Sequence, residues 1–332
     1  MKRKSPLVSI IIIDYKKENP YIAESFEAIK NQSYTNYEII LVTDYRNDYQ
    51  TKSLRKKYYG KYVPPANKRD QGAKMAKGEI LAFLDDDAYP SKNWLKNIVK
   101  GFEDKDVVGI GGPGVTPPNT SFLEKASGWA SASLVGSGSN FYRFLPRKKR
   151  FVDDYPSMNL AVRRKDFLKI GGFDSHYWPG EDTKLCLDLT HKLNKKILYL
   201  PEVLVYHHRR PLWIPHLKQN GNFGIHRGNF ARILPQTSFR IEYFGPSLLF
   251  LGLLYLLISF LIPSLSIVFV VRVGIILSLL YSLILLVNGV WVYKKSKDIW
   301  QGIISIPAIL ITNLWYGIRF IQGFLFSGKL KR

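Results

Sequence analysis

The sequence predicts an α/β fold with a mostly parallel, doubly wound sheet, followed by C-terminal transmembrane helices. Three observations carry this. Strand-like and helix-like segments alternate through the first hundred residues, the rhythm of β-α-β units. The apolar run Ile80–Leu84 leads straight into Asp85-Asp86-Asp87. Beyond about residue 244 the chain, mixed and charged until then, turns apolar.

Val8–Ile13 reads as the first strand, and Tyr21–Gln32 as a helix with Ile22, Phe26 and Ile29 at helical spacing. Ile39–Val42 is strand-like, Gln71–Lys77 a short helix, and Ile80–Leu84 a buried strand. Trp94–Phe102 is helix-like and Val107–Ile110 strand-like. Residues 119–155 read as a long loop or small insertion. Helical periodicity resumes at Thr183–Leu193, and Lys196–Leu200 and Val203–Tyr206 are strand-like.

Ligands of open α/β sheets bind beyond the carboxyl ends of strands. Three carboxylates there repel one another and call for a positive partner; a solvated acidic turn is the plain alternative.

The apolar C-terminal part contains Gly245–Ile262, Ile267–Tyr293 with Arg272 as its one charge, and Ile299–Ile318. Each is long enough for a spanning helix, which needs about 20 residues. Three in succession disfavour buried core helices, so 245–326 is expected to form a membrane region of two or three spans, with a basic tail over 327–332. Lys294, Lys295 and Lys297 place the end of the second run on the cytoplasmic side. Pro307 and Asn313 allow the third run to be re-entrant or interfacial instead of a full span. Lys2, Arg3 and Lys4 precede an apolar run that is too short for a signal peptide. The expectation is a multi-pass cell-membrane protein with a cytoplasmic N-terminal domain. Its single cysteine, Cys186, excludes an internal disulfide and a Cys-based zinc site.

Net charge is +22 over 332 residues. No nucleic-acid-binding motif accompanies it, and no nucleic-acid partner is expected. Anionic lipid headgroups and diphosphates account for the charge instead. Between residues 211 and 244, Lys218, His226, Arg227 and Arg232 interleave with Trp213, Phe223 and Phe230. This reads as an amphipathic segment at a membrane surface.

In order, these pieces resemble the family 2 glycosyltransferases, which have the GT-A nucleotide-sugar-binding fold. Val8–Ile12 with Tyr15 and Glu18 looks like that family's opening strand and loop. Glu38–Asp44 is similar to its second strand, whose final acid contacts the nucleotide base. Arg69, Gly72, Ala76, Gly78 and Leu84–Asp87 fall where the family has its arginine, helix and DXD motif. Asn159, Arg163, Gly171–Asp174 and Gly180-Glu181-Asp182 match its acceptor side. The resemblance covers roughly residues 7–210, the expected catalytic domain. It departs at Ile13, Asp14 and Lys16, at Thr43 and Tyr45, and at Asp70 and Asp188; the first two groups lie near the nucleotide, which leaves uracil, guanine and thymine all open as the base.

The resemblance implies a metal-dependent inverting transferase moving a sugar from a nucleotide-diphosphate donor to a membrane-associated acceptor, a lipid-linked saccharide above all. Tyr15, Glu18, Asp44, Arg69, Asp85 and Asp86 would line the donor site. Mg²⁺ or Mn²⁺ would neutralise the departing diphosphate, with Asp87 in direct contact and Asp85 on the ribose or a metal-bound water. His207 or His208 is the candidate to complete the shell, His208 being taken with Asp85 and Asp87 as the metal set; a polar strand end is the competing reading. Asp182, beside Glu181, would be the general base. Arg209, Arg210 and Arg227 are candidates for an acceptor or lipid phosphate. The rival readings are a polyprenyl-phosphate sugar synthase, a polysaccharide synthase (disfavoured because Gln219 leads to Asn222-Phe223 and no Gln-x-x-Arg-Trp), and a non-catalytic nucleotide-sugar-binding scaffold.

Overall fold

The computed structural model describes residues 5–177 and 179–326. The expected basic tail and Lys2, Arg3 and Lys4 lie outside the described residues. The chain opens with β1 (Val8–Asp14), α1 (Tyr21–Lys30), β2 (Tyr37–Thr43), β3 (Leu54–Tyr58) and α2 (Pro65–Met75). Next come β4 (Ile80–Asp85), β5 (Ala88–Pro90), α3 (Trp94–Gly101), β6 (Val107–Gly111) and β7 (Gly114–Val115). α4 (Phe122–Ala132), α5 (Leu134–Ser137), β8 (Arg150–Val152), β9 (Asn159–Arg163), α6 (Arg164–Lys169) and α7 (Glu181–Leu187) follow. β10 (Lys196–Tyr199) and β11 (Val205–His207) precede α8 (Ile214–Ile233), α9 (Pro235–Ser238), α10 (Ile241–Leu261), α11 (Val268–Ser296) and α12 (Ile299–Phe326).

These elements form two compact units. One runs up to Val115 and resumes over Leu145–His208; the other joins Thr116–Phe144 to the chain from Arg209 onward.

The first unit holds an eight-stranded sheet in the order β3-β2-β1-β4-β9-β6-β10-β8, with a three-stranded sheet β5-β11-β7. β3, β2, β1 and β4 run parallel. β9 is antiparallel to both β4 and β6, so the sheet is mixed at its centre. Every residue of β1 is buried, as expected for a strand covered on both faces. On one face Ile10 and Ile12 pack with Ile22, Phe26 and Ile29 of α1 and Leu95 and Ile98 of α3. Elsewhere Phe83, Phe167 and Phe173 meet ring to ring.

The structure differs from the sequence reading in places with clear causes. β3 carries Arg55, Lys56 and Lys57 at the sheet edge, so it shows no apolar pattern. α2 begins at Pro65, six residues before the expected Gln71, with proline in the first turn where its missing N–H costs nothing. Residues 122–137 are helical, because the small Ala126, Ser127, Gly128 and Ala130 make a packing face without a long apolar stripe.

In the second unit, α10, α11 and α12 are long and apolar enough to cross a membrane. α12 is continuous through Pro307. Of its apolar window 39% is buried within the protein, against 11% for α10 and 6% for α11. α12 is the hub of this unit, packing on α4, α8, α10 and α11. A Cβ on Gly224 of α8 would stand 2.7 Å from the Tyr316 carbonyl, so glycine is what lets these two backbones approach. Polar links tie the bundle. His216 Nδ1 lies 2.7 Å from Ser127 Oγ, and its Nε2 lies 2.9 Å from Thr312 Oγ1. Asn313 donates to the Val135 carbonyl and to Tyr281.

Candidate active site

The parallel pairing of β4 with β1 (Asp85 opposite Ile13) brings the aspartates to the carboxyl end of the sheet. The chain then turns into β5, whose Ala88 pairs with His207 of β11. That pairing sets His207 Nε2 2.9 Å from Asp87 Oδ1. Asp85, Asp87 and His207 each offer a ligand atom within 4.8 Å of the others, the arrangement a divalent cation needs. His208 donates its backbone N–H to the Asp87 carbonyl, but its ring turns elsewhere. Nε2 is 2.9 Å from Glu24, and the ring stacks on Tyr21 at 4.1 Å. His207 ends β11 and His208 follows it, and successive side chains along an extended chain point to opposite sides, which separates the two histidines.

Asp86 turns inward, where its carboxylate accepts from Asn19 Nδ2 at 2.6 Å. Burial, then Asp87, Asp85 and Asp14, push its pKa up to about 8. The triplet therefore divides: two acids reach the cluster and one is held beneath it.

Arg69 of α2 joins the metal-type cluster to the first turn of α7. It donates to Asp85 Oδ1 at 2.9 Å and to Glu181 Oε1 at 2.9 Å. Burial opposes its charge, yet the fields of Asp85 and Glu181 outweigh this and raise its pKa. Glu181 also accepts from the Gly180 N–H, so both its oxygens are engaged. Asp182 accepts from the Thr183 N–H at 2.8 Å and the Ser157 N–H at 3.4 Å. Burial first, then Glu181 and Asp154, push Asp182 up to about 7. Gly172, at φ +82°, shapes the turn ahead of this segment; its amide neighbour Phe173 donates to Asp70.

At the ends of β1 and β2, Asp44 is buried and paired with Lys68 at 2.8 Å. Tyr15 is 45% exposed and Glu18 is exposed, both in the loop after β1. Asp14 organises that loop by accepting from the Lys16 N–H and from Asn19. Asn159 is fully engaged within the fold, with Trp94, Gly112 and Val203. Arg209, Arg210 and Arg227 belong to the second unit. Arg209 lies 4.8 Å over the Phe144 ring, and Arg227 bonds Ser238 and lies 4.8 Å over Tyr243.

The model of the family described as "Glycosyl transferase family 2" matches residues 9–171. Residues 9–171 belong to glycosyl transferase family 2. This family 2 domain contains the strand ends, Arg69 and the aspartate triplet. Among relatives, a glucosyl-dolichyl phosphate glucuronosyltransferase of Haloferax volcanii is 22% identical over 222 residues, 60% of this chain and 68% of the relative. A dolichyl N-acetyl-alpha-D-glucosaminyl phosphate 3-beta-D-2,3-diacetamido-2,3-dideoxy-beta-D-glucuronosyltransferase of Methanococcus voltae is 25% identical over 282 residues, 78% of this chain and 83% of the relative. The fold resembles that of the mannosyltransferase PcManGT from Pyrobaculum calidifontis, solved in complex with GDP-Man and Mn²⁺ (TM-score 0.50, 18% identity, covering 94% of this chain and 88% of that one). The mixed α/β sheet thus resembles that of GT-A glycosyltransferases, and three long apolar helices follow it in sequence.

Sequence reasoning did not find Lys68 or Asp154, which hydrogen-bonds Thr183 beside Asp182. Lys68 carries no local sign of burial in the sequence. It stands one turn before Gly72, whose Cβ would come 2.5 Å from Ile11, so this helix face is pressed to the sheet. A lysine on such a face must be buried, and a buried lysine requires an acid.

Proposed function

We propose that this chain is a metal-dependent, inverting glycosyltransferase that moves a sugar from a nucleoside-diphosphate donor to a lipid-linked saccharide. The observation that carries this reading is the Arg69 bridge. One guanidinium ties Asp85, in the cation-type cluster, to Glu181, next to the candidate base Asp182.

Two carboxylates and an imidazole fit Mg²⁺ or Mn²⁺, with the imidazole better suited to Mn²⁺. Asp85, Asp87 and His207 would hold the ion, which would supply positive charge for the leaving diphosphate. Asp182 takes the proton of the acceptor hydroxyl as that oxygen bonds the anomeric carbon. The sugar–phosphate bond breaks on the opposite face, its electron pair leaving with the nucleoside diphosphate, so the anomeric configuration inverts. A carboxyl pushed up to about 7 suits a base at neutral pH. Arg69 and Glu181 position this segment.

The names of the relatives from Haloferax and Methanococcus, both acting in dolichyl-linked chemistry, support a lipid-linked acceptor. The apolar helices α10, α11 and α12 suit an enzyme moored in a bilayer. Lys294 and Lys295 in the last turn of α11, with Lys297 just beyond it, argue for a cytoplasmic catalytic domain.

The test is transfer of radiolabel from a panel of UDP-, GDP- and TDP-sugars by the full chain in lipid nanodiscs. Dolichyl-linked saccharide and bare dolichyl phosphate are offered in parallel, with Mn²⁺ or EDTA. Label entering the saccharide only with Mn²⁺ is the expected outcome. Label entering only the bare phosphate makes the chain a polyprenyl-phosphate sugar synthase, and EDTA-resistant transfer overturns the metal assignment.

A further inference from the structure

The three apolar helices do not touch one another as three spans would. α10 and α11 are joined by the short turn at Pro263–Leu265 and meet close to it, where Gly274 faces Leu256. They form a hairpin whose near end is marked by Lys294 and Lys295 in the last turn of α11. A third span starting there would pass along α11 from Ser296 back to Val268, and along α10 from Ile241 on to Leu261.

α12 sets out in that direction and then turns back. Gly302 lies against Gly289 and Tyr293, Ile306 against Gly289, and Asn313 reaches Tyr281, halfway along α11. Every buried residue of α11 (Leu285, Asn288, Gly289 and Val292) is in its near half. From Gly317 onward the contacts are with the start of α10. The Gly317 carbonyl accepts from Ser247 Oγ at 3.1 Å. Phe320 and Phe324 both pack on Phe244, with ring centroids 4.8 and 5.7 Å apart. Residues 302–324 make about 33 Å of helix, enough to cross a hydrocarbon core of roughly 30 Å. Yet one end of this stretch meets the last turns of α11 and the other the first turns of α10, both at the near end of the hairpin.

α8 gives a second, independent reason. It runs beside the later part of α12 in the same direction: His216 bonds Thr312, Gly224 meets Tyr316, and Gly228 meets Phe320 and Phe324. Lys218 and Arg232, toward its two ends, are exposed and stand about 21 Å apart along the axis. Were α12 upright in a bilayer, α8 would be carried in beside it and one of these cations would lie deep in hydrocarbon, at a heavy desolvation cost. With the pair lying along the surface, both cations stay at headgroup level.

We propose that α10 and α11 are the two spans, and that α12 lies with α8 in the near leaflet as an interfacial helix that does not cross. Its partner is the acyl-chain region of that one leaflet. The contact is made by Ile299, Ile303, Pro307, Ile311 and Trp315, exposed at every fourth position, and by Phe326 at the end. Lys329, Lys331 and Arg332, which follow in the sequence, then stay on the side of Lys294 and Lys295, as the positive-inside tendency favours.

The test is labelling in intact cells that express the full chain with its one cysteine removed (Cys186→Ser) and a single new one introduced by Ser264→Cys, Ser296→Cys or Ser327→Cys. A membrane-impermeant maleimide is applied before and after permeabilisation. Ser264→Cys, in the turn between α10 and α11, is expected to label from one side of the membrane, and both Ser296→Cys and Ser327→Cys from the other. Ser327→Cys sharing the side of Ser264→Cys overturns the proposal. Spin labels at Ile303→Cys, Ile311→Cys and Phe326→Cys in nanodiscs give a second readout, which decides if the cysteine at 327 escapes the maleimide. All three are expected at lipid depth within a single leaflet. Depths that pass the bilayer midplane between 303 and 326 make α12 a third span, and labels that meet only water remove the leaflet as its partner.

Discussion

In the sheet-bearing unit the buried polar side chains are mostly charged and gather at strand ends; in the helical unit they are mostly neutral and sit between helices. Lys68, Asp44, Arg69, Glu181, Asp86 and Asp87 represent the first pattern. His216, Ser127, Thr312, Asn313 and Gln301 represent the second, with Glu124 a buried acid there that accepts from the Arg209 N–H. Burial pushes His216 down to about 4, helped by Arg209, so its ring is neutral at ordinary pH. The difference is instructive because buried charge is a poor way to stabilise a fold. Neutral hydrogen-bonded pairs satisfy the helices at lower desolvation cost. Charges retained in the sheet-bearing unit therefore point to a ligand whose own charges complete the set.

The comparison breaks most sharply at the proposed base. Asp182→Asn should lower kcat by about 10² to 10⁴-fold while donor still binds, the range for loss of a general base. Wild-type kcat should climb with pH and level off above about 7, because the carboxyl must lose its proton before it can accept one. The Asn variant should lack that limb, and a variant with wild-type turnover removes Asp182 from the chemistry.

A smaller effect separates the two histidines. His207→Ala should weaken Mn²⁺-dependent binding of nucleoside diphosphate by about 10- to 100-fold, as for perturbed metal sites. His208→Ala, which loses its contact with Glu24, should change it less than about threefold. A reversed ranking would assign the ligand role to His208.

The smallest effect belongs to the helical unit. Thr312→Val removes the nearer of two partners of His216 Nε2, the other being Asn220, and should cost about 0.5–2 kcal/mol, read as a Tm drop in nanodiscs. Nucleoside-diphosphate affinity should be unchanged. A loss of affinity would mean that this polar link also serves the site.

Much of the fold was legible because its signals are local. The strands β1, β2, β4 and β6 are apolar runs bounded by turns, and α10, α11 and α12 announce themselves by length and hydropathy. The aspartates could be placed at a strand end from Ile80–Leu84 alone. What the sequence did not reveal depends on pairing between distant segments. β9 enters the sheet antiparallel between β4 and β6, which no local pattern encodes. The choice of His207 over His208 for the cluster follows from the register of β11 against β5. Lys68 looked like any helical lysine until the close approach of Gly72 to Ile11 showed which face of α2 is buried.

The account stands most directly on one calorimetric measurement: binding of nucleoside diphosphate to wild type and to Asp87→Ala, each with Mn²⁺ and with EDTA. Wild type should bind with Mn²⁺ and lose at least about tenfold in affinity with EDTA, while Asp87→Ala binds weakly in both. Equal affinity in all four conditions would contradict a cation site at the end of β4.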